Sequence, residues 1–202
     1  MADMSSTDAA FGFMPYGNLL SANWYAIVTN YGTAMYVGHA CEIGGTAITT
    51  ARRGTLQNVQ TEETGAAGSI LGAVLALEDS DGVPVSYIAA STTGDGVVAG
   101  YALVADHPLQ RYLVQEDGDT SSIQVANIGL NAEGIGAAGS TTTGISTMEL
   151  DSDTVATTAT LAWRILGVHP DDSISTDGAA GNHCRFIVMP AAAHIASNVV
   201  GA

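Results

Sequence analysis

The chain has 202 residues, and 20 acidic residues against five basic ones give it a formal net charge of −15 at pH 7. Every basic residue is an arginine, whereas a protein that binds DNA or RNA needs a basic surface to displace counterions from phosphate. The composition therefore excludes nucleic-acid binding, and attachment to an anionic membrane surface with it.

Residues 1–22 have the pattern of an irregular N-terminal arm. Large apolar side chains stand here among glycines and a proline, at a spacing that fits neither a helix nor a strand. Such side chains dock into a groove on the same chain or on a neighbour, and both possibilities stay open. The candidate partner-contact residues are Phe11, Phe13, Met14, Tyr16 and, just beyond the arm, Trp24. We expect deletion of the arm to leave a folded body that has lost its partner.

Residues 23–105 consist of short segments rich in branched and aromatic residues, separated by turn signals about every ten residues. The predicted strands of this part and of the corner that follows it are Trp24–Thr29, Thr33–Val37, Ala47–Thr50, Thr55–Gln60, Ile70–Leu77, Val83–Ala89, Val97–Val104 and Gln110–Gln115. Asp79–Gly82 is predicted to be a hairpin turn. No amphipathic helix of ordinary length lies between these segments, which argues against alternating strands and helices.

Residues 106–202 differ from the preceding part in composition and in the elements that they predict. Ser121 or Ser122 is placed to cap one short helix, and residues 131–143 are so rich in glycine and alanine that they predict a loop. Strands are predicted to resume at Gly144–Leu150, Thr154–Thr160, Leu161–Val168 and Cys184–Met189. The sequence thus predicts an all-β fold, a short-stranded barrel or sandwich, with the arm followed by two β-rich lobes at residues 23–105 and 106–202.

The motifs of common enzymes are missing. No Gly-x-Ser-x-Gly elbow is present, and without lysine no phosphate-binding P-loop is possible. His39 and Cys41, taken with His183 and Cys184, are side chains that zinc can use, but they lack the spacing of paired zinc ligands. Acid pairs such as Asp79 and Asp81 lack the length of a calcium loop and suit turns instead. We therefore predict a non-enzymatic protein with no cofactor and no metal.

Two further features concern the cellular setting. The first residues carry acidic side chains and no basic residue before an apolar run, so we expect no secretory signal, and no stretch approaches the ~20 apolar residues of a membrane span. Without a secretory signal, we expect Cys41 and Cys184 to be two buried thiols, and a disulfide between them is the less favoured alternative. We expect a protein made in a cytoplasm.

Several short blocks of the sequence together resemble a known class of proteins, the β-rich structural proteins that tailed bacteriophages encode beside the major capsid protein and use as head decoration or cement. The blocks are Phe11–Pro15, Met35–Cys41, Asp106–Gln115 with the following Glu116–Gly118, Ile128–Ala132, Met148–Asp151 and Trp163–Val168.

The resemblance implies a virion protein that binds the outer capsid surface and stabilises the head. Its partners would be the major capsid protein and further copies of itself, and a homotrimer is expected. It would be located on the capsid exterior. The alternative is a receptor- or glycan-binding β module of a phage tail or surface fibre, which would want aromatic side chains clustered beside acids and amides.

Overall fold

The computed structural model describes residues 7–48, 55–61, 70–136 and 138–191, and these residues confirm the all-β fold. The strands are β1 (Met14–Pro15), β2 (Asn23–Val28), β3 (Met35–Tyr36), β4 (Ala40–Ala47), β5 (Thr55–Thr61), β6 (Ile70–Asp79), β7 (Pro84–Val85), β8 (Tyr87–Ile88), β9 (Val98–Ala105), β10 (Tyr112–Gln115), β11 (Asn131–Ala132), β12 (Gly134–Ile135), β13 (Glu149–Leu150), β14 (Trp163–Val168) and β15 (Arg185–Pro190). Two short 3-10 turns, Val125–Asn127 and Ser152–Thr154, complete the described elements. In this part of the chain no helix is long and apolar enough to cross a bilayer.

Five strands from the first half of the chain close into a ring. β4 pairs with β5 on one side and with β6 on the other, and β9 lies between β6 and β2. β2 and β5 complete the ring through a parallel pairing, while β7 adds to β6. Closure gives these strands partners on both sides, which removes the exposed edges on which flat sheets aggregate.

The second half of the chain, joined by β1 from the arm, builds an antiparallel sheet in the order β1-β10-β15-β14-β11. Buried and less buried residues alternate along β15, as expected for a strand with one face in the core. The register places Tyr112 opposite Val188 and Val114 opposite Phe186, and all four side chains are fully buried. This sheet therefore has one apolar face.

The largest hydrophobic cluster joins the ring to the second sheet. It contains Ala73 and Ala105 from the ring together with Trp163 and Phe186 from the second sheet. At the junction Tyr112 OH, from the second sheet, donates to the carbonyl oxygen of Ala105 in the ring at 2.5 Å, and a Cβ atom added to Gly72 would lie 3.0 Å from that hydroxyl oxygen. The ring and the second sheet therefore share a core.

Most of the long predicted strands are found close to their predicted bounds. β2, β6, β9, β14 and β15 each cover most of a predicted segment. The predicted turn after β6 is also present, since Asp79 N donates to the carbonyl oxygen of Val83 and Gly82 N donates to that of Asp79. These segments combine high strand propensity with burial, so local pattern and tertiary packing agree.

Other predicted elements differ from the structure. Thr154–Thr160 forms no strand, because its mostly exposed threonines offer nothing to bury. The predicted helix after Ser122 shrinks to the 3-10 turn at Val125–Asn127, where Val125 points into solvent. The segment predicted as a loop, residues 131–143, contains β11 and β12. Part of the predicted strand Ala47–Thr50 lies outside the described residues.

Candidate docking surface

The N-terminal arm docks on its own chain. Phe13 is completely buried, and its ring stacks on that of Trp163 with the centroids 4.2 Å apart and the planes inclined by 16°. Phe13 N also donates to the carbonyl oxygen of Gly38, at 2.8 Å. A side chain that fills the core is not available to a partner, so the same-chain alternative holds for Phe13. The arm is an integral part of the second sheet.

Backbone pairing extends this docking along β10. Met14 and Pro15 pair with Leu113 and Tyr112, and Tyr16 N donates to the carbonyl oxygen of Arg111 at 2.8 Å. Because the arm supplies an edge strand and a core side chain, we now expect its deletion to destabilise the protein rather than to leave the body intact.

The corner that follows β9 holds the end of the arm. Gln110 is fully buried, and its side-chain oxygen accepts a hydrogen bond from Leu20 N at 3.0 Å. The Asp106 carboxylate accepts from Ser21 Oγ at 2.7 Å and from Tyr25 OH at 2.8 Å. Burial, together with the hydrogen bond to Asp106, raises the pKa of the Tyr25 hydroxyl. The two stretches that stood out in the sequence, the arm and the Asp106 corner, are therefore bonded to each other.

Together they present a partly apolar surface, the docking patch, formed by Tyr16, Gly17, Asn18, Leu20, Leu109 and Arg111 around one cleft. Leu20 and Leu109 expose 52% and 57% of their surface, and Leu19, the residue before Leu20, exposes 51%. Isolated exposed leucines are ordinary, but two that line one cleft, with a third adjacent in sequence, make this the candidate apolar contact surface. Arg111, one of the five basic residues of the chain, also lines the cleft.

The five predicted contact residues are separated in the structure. Tyr16 lines the docking patch, and Phe13 lies in the core. Phe11 is half-buried beside a second cleft, Met14 is half-buried near Gly38, and Trp24 packs against a small cluster on one face of β2. The leucines of the patch were not among the predicted contact residues. The sequence did contain one signal for an exposed apolar residue. Leu109 directly follows Pro108 in a turn, where its side chain does not lie on the buried face of a strand.

The four zinc-competent side chains do not converge. Cys41 belongs to the core of the ring and Cys184 to the shared core, and the two form no disulfide. Cys41 Sγ donates to the carbonyl oxygen of Gly72 at 3.3 Å, and Cys184 Sγ to that of Ser173 at 2.9 Å. They act as small buried groups with local hydrogen bonds.

The acid pairs considered for calcium close turns. Asp79 Oδ1 accepts from Asp81 N at 2.9 Å, and Asp151 Oδ1 accepts from Asp153 N at 3.0 Å at the start of a 3-10 turn. Carboxylates used in this way satisfy backbone donors that would otherwise lack partners.

Glu116 anchors the loops around β15. It is fully buried, and its carboxylate accepts hydrogen bonds from Ile123 N at 2.7 Å and from Asn182 Nδ2 at 3.0 Å. Burial raises the pKa of Glu116 to about 7. The hydrogen bonds that this carboxylate accepts from Ile123, Asn182 and Cys184 join three loop positions, which makes it a structural anchor.

His39 is a buried neutral histidine. Its Nε2 lies 3.3 Å from the carbonyl oxygen of Ala138, and its ring packs edge-on against Tyr36 with the centroids 5.2 Å apart. Burial lowers the pKa of His39 to about 4. The ring therefore serves packing and one hydrogen bond in its neutral form.

This burial predicts a loss of stability in acid. The unfolded chain protonates His39 near pH 6.5, whereas the folded chain does so only near pH 4. Between these values the unfolded state binds more protons, so the free energy of unfolding falls as the pH falls, by up to about 3 kcal/mol from this group. Urea denaturation at pH 6.5, 5.5 and 4.5 should show a smaller decline for His39→Gln than for the unsubstituted chain. Parallel declines would contradict the assignment.

Comparison with protein-family models, with curated proteins and with solved structures finds no match for this chain.

Proposed function

We propose that this chain is a non-enzymatic virion protein that binds the outer surface of a tailed-phage capsid and stabilises the head, acting as a trimer. The observation that carries the proposal is the docking patch, an exposed apolar surface built by the arm and the Asp106 corner. The Asp106 corner is among the blocks that resemble head decoration proteins, and the arm residues of the patch directly follow another such block, Phe11–Pro15. A cement protein needs a stiff body and a repeatable contact surface and no catalytic constellation.

On a capsid, where each contact is repeated, a patch that contributes little binding free energy is sufficient. Burying a leucine completely contributes about 1.5–3 kcal/mol, and Leu20 and Leu109 are each about half exposed. One patch therefore supplies only a few kcal/mol, of which association removes a part. A trimer that engages three equivalent sites on a capsid gains from effective concentration, so three weak contacts suffice for stable decoration.

The charge of the chain fits the outside of a shell. A net charge of −15 keeps free subunits apart and away from nucleic acid. Arg111, which lines the patch, offers a positive charge to an acidic group on the capsid surface. Repulsion between neighbouring subunits is screened over about 8 Å at physiological salt.

The alternative, a glycan-binding module, gains little support. Sugar binding by stacking needs exposed aromatic rings, but Trp163 is completely buried in the shared core. Trp24 packs against Val98 and Tyr101. A glycan array would still distinguish the two functions, because a decoration protein should bind none of its members.

The native mass in moderate salt tests the trimer. Three chains of 20.5 kDa give about 62 kDa, and light scattering after size exclusion should report that value. A strict monomer would contradict the trimer and leave assembly to the capsid surface alone.

A further inference from the structure

The structure brings three metal-binding side chains together from distant parts of the chain. Asp8 from the arm, Glu149 from β13 and His183, two residues before β15, each place one ligand atom within 4.8 Å of the others. We propose that this triad binds one divalent transition-metal ion of the zinc class. The inference is independent of the capsid-binding role.

The donor set determines the class of ion. One imidazole nitrogen with two carboxylate oxygens suits Zn²⁺ or Mn²⁺, whereas Ca²⁺ and Mg²⁺ prefer sites made of oxygen alone. Atoms that share a zinc ion at about 2.1 Å with tetrahedral angles lie about 3.4 Å apart. The observed spacing therefore requires shifts of about an ångström, and the exposed Asp8 side chain has room to make them.

Glu149 carries an unmet requirement for a positive partner. Its Oε1 atom is buried and accepts no hydrogen bond from the described part of the chain. The carboxylates of Asp8, Asp117 and Asp119 are close enough to act electrostatically on it. A buried carboxylate oxygen without a donor is costly, and a cation between Glu149 and Asp8 would relieve both the missing contact and the repulsion.

The backbone on either side of each ligand residue is held in place. The Gln115 side chain brackets Asp8, because it accepts from Ala9 N and donates to the carbonyl oxygen of Thr7, both at 3.1 Å. Glu149 pairs with Ile135. A site whose ligands are already positioned loses less conformational entropy when the ion binds.

The surroundings of His183 are equally fixed. On one side Asn182 is held by Glu116, and on the other Glu116 N donates to the carbonyl oxygen of Cys184 at 2.9 Å. The nearby cation does not compete for the carboxylates, since Arg185 forms a bidentate pair with Asp172 at 2.7 and 3.0 Å. Bound metal would tie the arm to the second sheet through Asp8.

Calorimetric titration of the full chain with Zn²⁺, after treatment with EDTA and dialysis, tests the site. We expect one ion per chain, with affinity reduced at least about tenfold in each of Asp8→Asn, Glu149→Gln and His183→Gln. Asp81→Asn, which removes an equal charge from the distant hairpin, should bind as the unsubstituted chain does. Melting curves without metal establish that each variant is folded.

Three outcomes would overturn the proposal. They are no binding by the unsubstituted chain, triad variants that bind as tightly as that chain, and tighter binding of Ca²⁺ or Mg²⁺ than of Zn²⁺. X-ray absorption of the zinc-loaded protein provides a readout that a purely structural role would not give. Nitrogen and oxygen neighbours that include an imidazole are expected, whereas a sulfur neighbour would assign the ion to a cysteine instead.

Discussion

Replacing Phe13 by alanine should lower the free energy of unfolding by about 3–5 kcal/mol, the usual cost of removing a buried aromatic ring. The reason is its place in the shared core, where it is completely buried and stacks on Trp163. The cavity left behind cannot fill easily, because Trp163 is itself held edge-on by Tyr112, with the centroids 5.4 Å apart. Urea denaturation followed by tryptophan fluorescence measures the change.

Phe11→Ala is the matched control. Phe11 belongs to the same arm but is only half-buried beside a cleft, so its loss should cost clearly less than that of Phe13. A loss below about 1 kcal/mol for Phe13→Ala would fall outside the range for buried aromatic rings, and it would mean that the arm is not docked in solution as it is in the structure.

The double substitution Leu20→Glu and Leu109→Glu should reduce binding to phage heads at least about 100-fold, equivalent to about 2.8 kcal/mol. Both side chains are more than half exposed, so the folded body should keep its stability within about 0.5 kcal/mol. In the bound state the two carboxylates would be desolvated against an apolar surface, which adds a penalty to the lost contact. Cosedimentation of purified protein with heads assembled without it measures the binding.

Val83→Glu with Val125→Glu is the control for the added charge. These valines are as exposed as the leucines, at 55% and 61%, but lie in the turn after β6 and in the first 3-10 turn. The control pair should bind heads as the unsubstituted chain does. Equal loss in both pairs would show that net charge, and not the docking patch, governs binding.

The fold was predictable where local pattern and burial agree. Ile70–Leu77 is a continuous apolar run, and it forms most of the buried strand β6, which pairs with three other strands. Asp79–Gly82 has the residues of a tight turn and forms one. The ring closure was not predictable, because the pairing of β4 with both β5 and β6 depends on contacts between residues far apart in sequence.

The candidate sites, too, could be predicted from the sequence only in part. Tyr16 was a candidate because an aromatic side chain on an irregular segment signals docking, and it does line the patch. Leu109 was missed, since only the folded corner brings it beside the arm. The triad of Asp8, Glu149 and His183 was missed for the same reason. Its members are spread over 175 residues of sequence, and no spacing rule links them.

The binding of the purified chain to heads that lack it tests the central claim most directly. The account predicts that the chain cosediments with the heads, saturates at a fixed ratio to the major capsid protein, and raises the temperature at which the heads release their DNA. Failure to bind such heads at any protein concentration, with the chain shown to be folded, would contradict the capsid role.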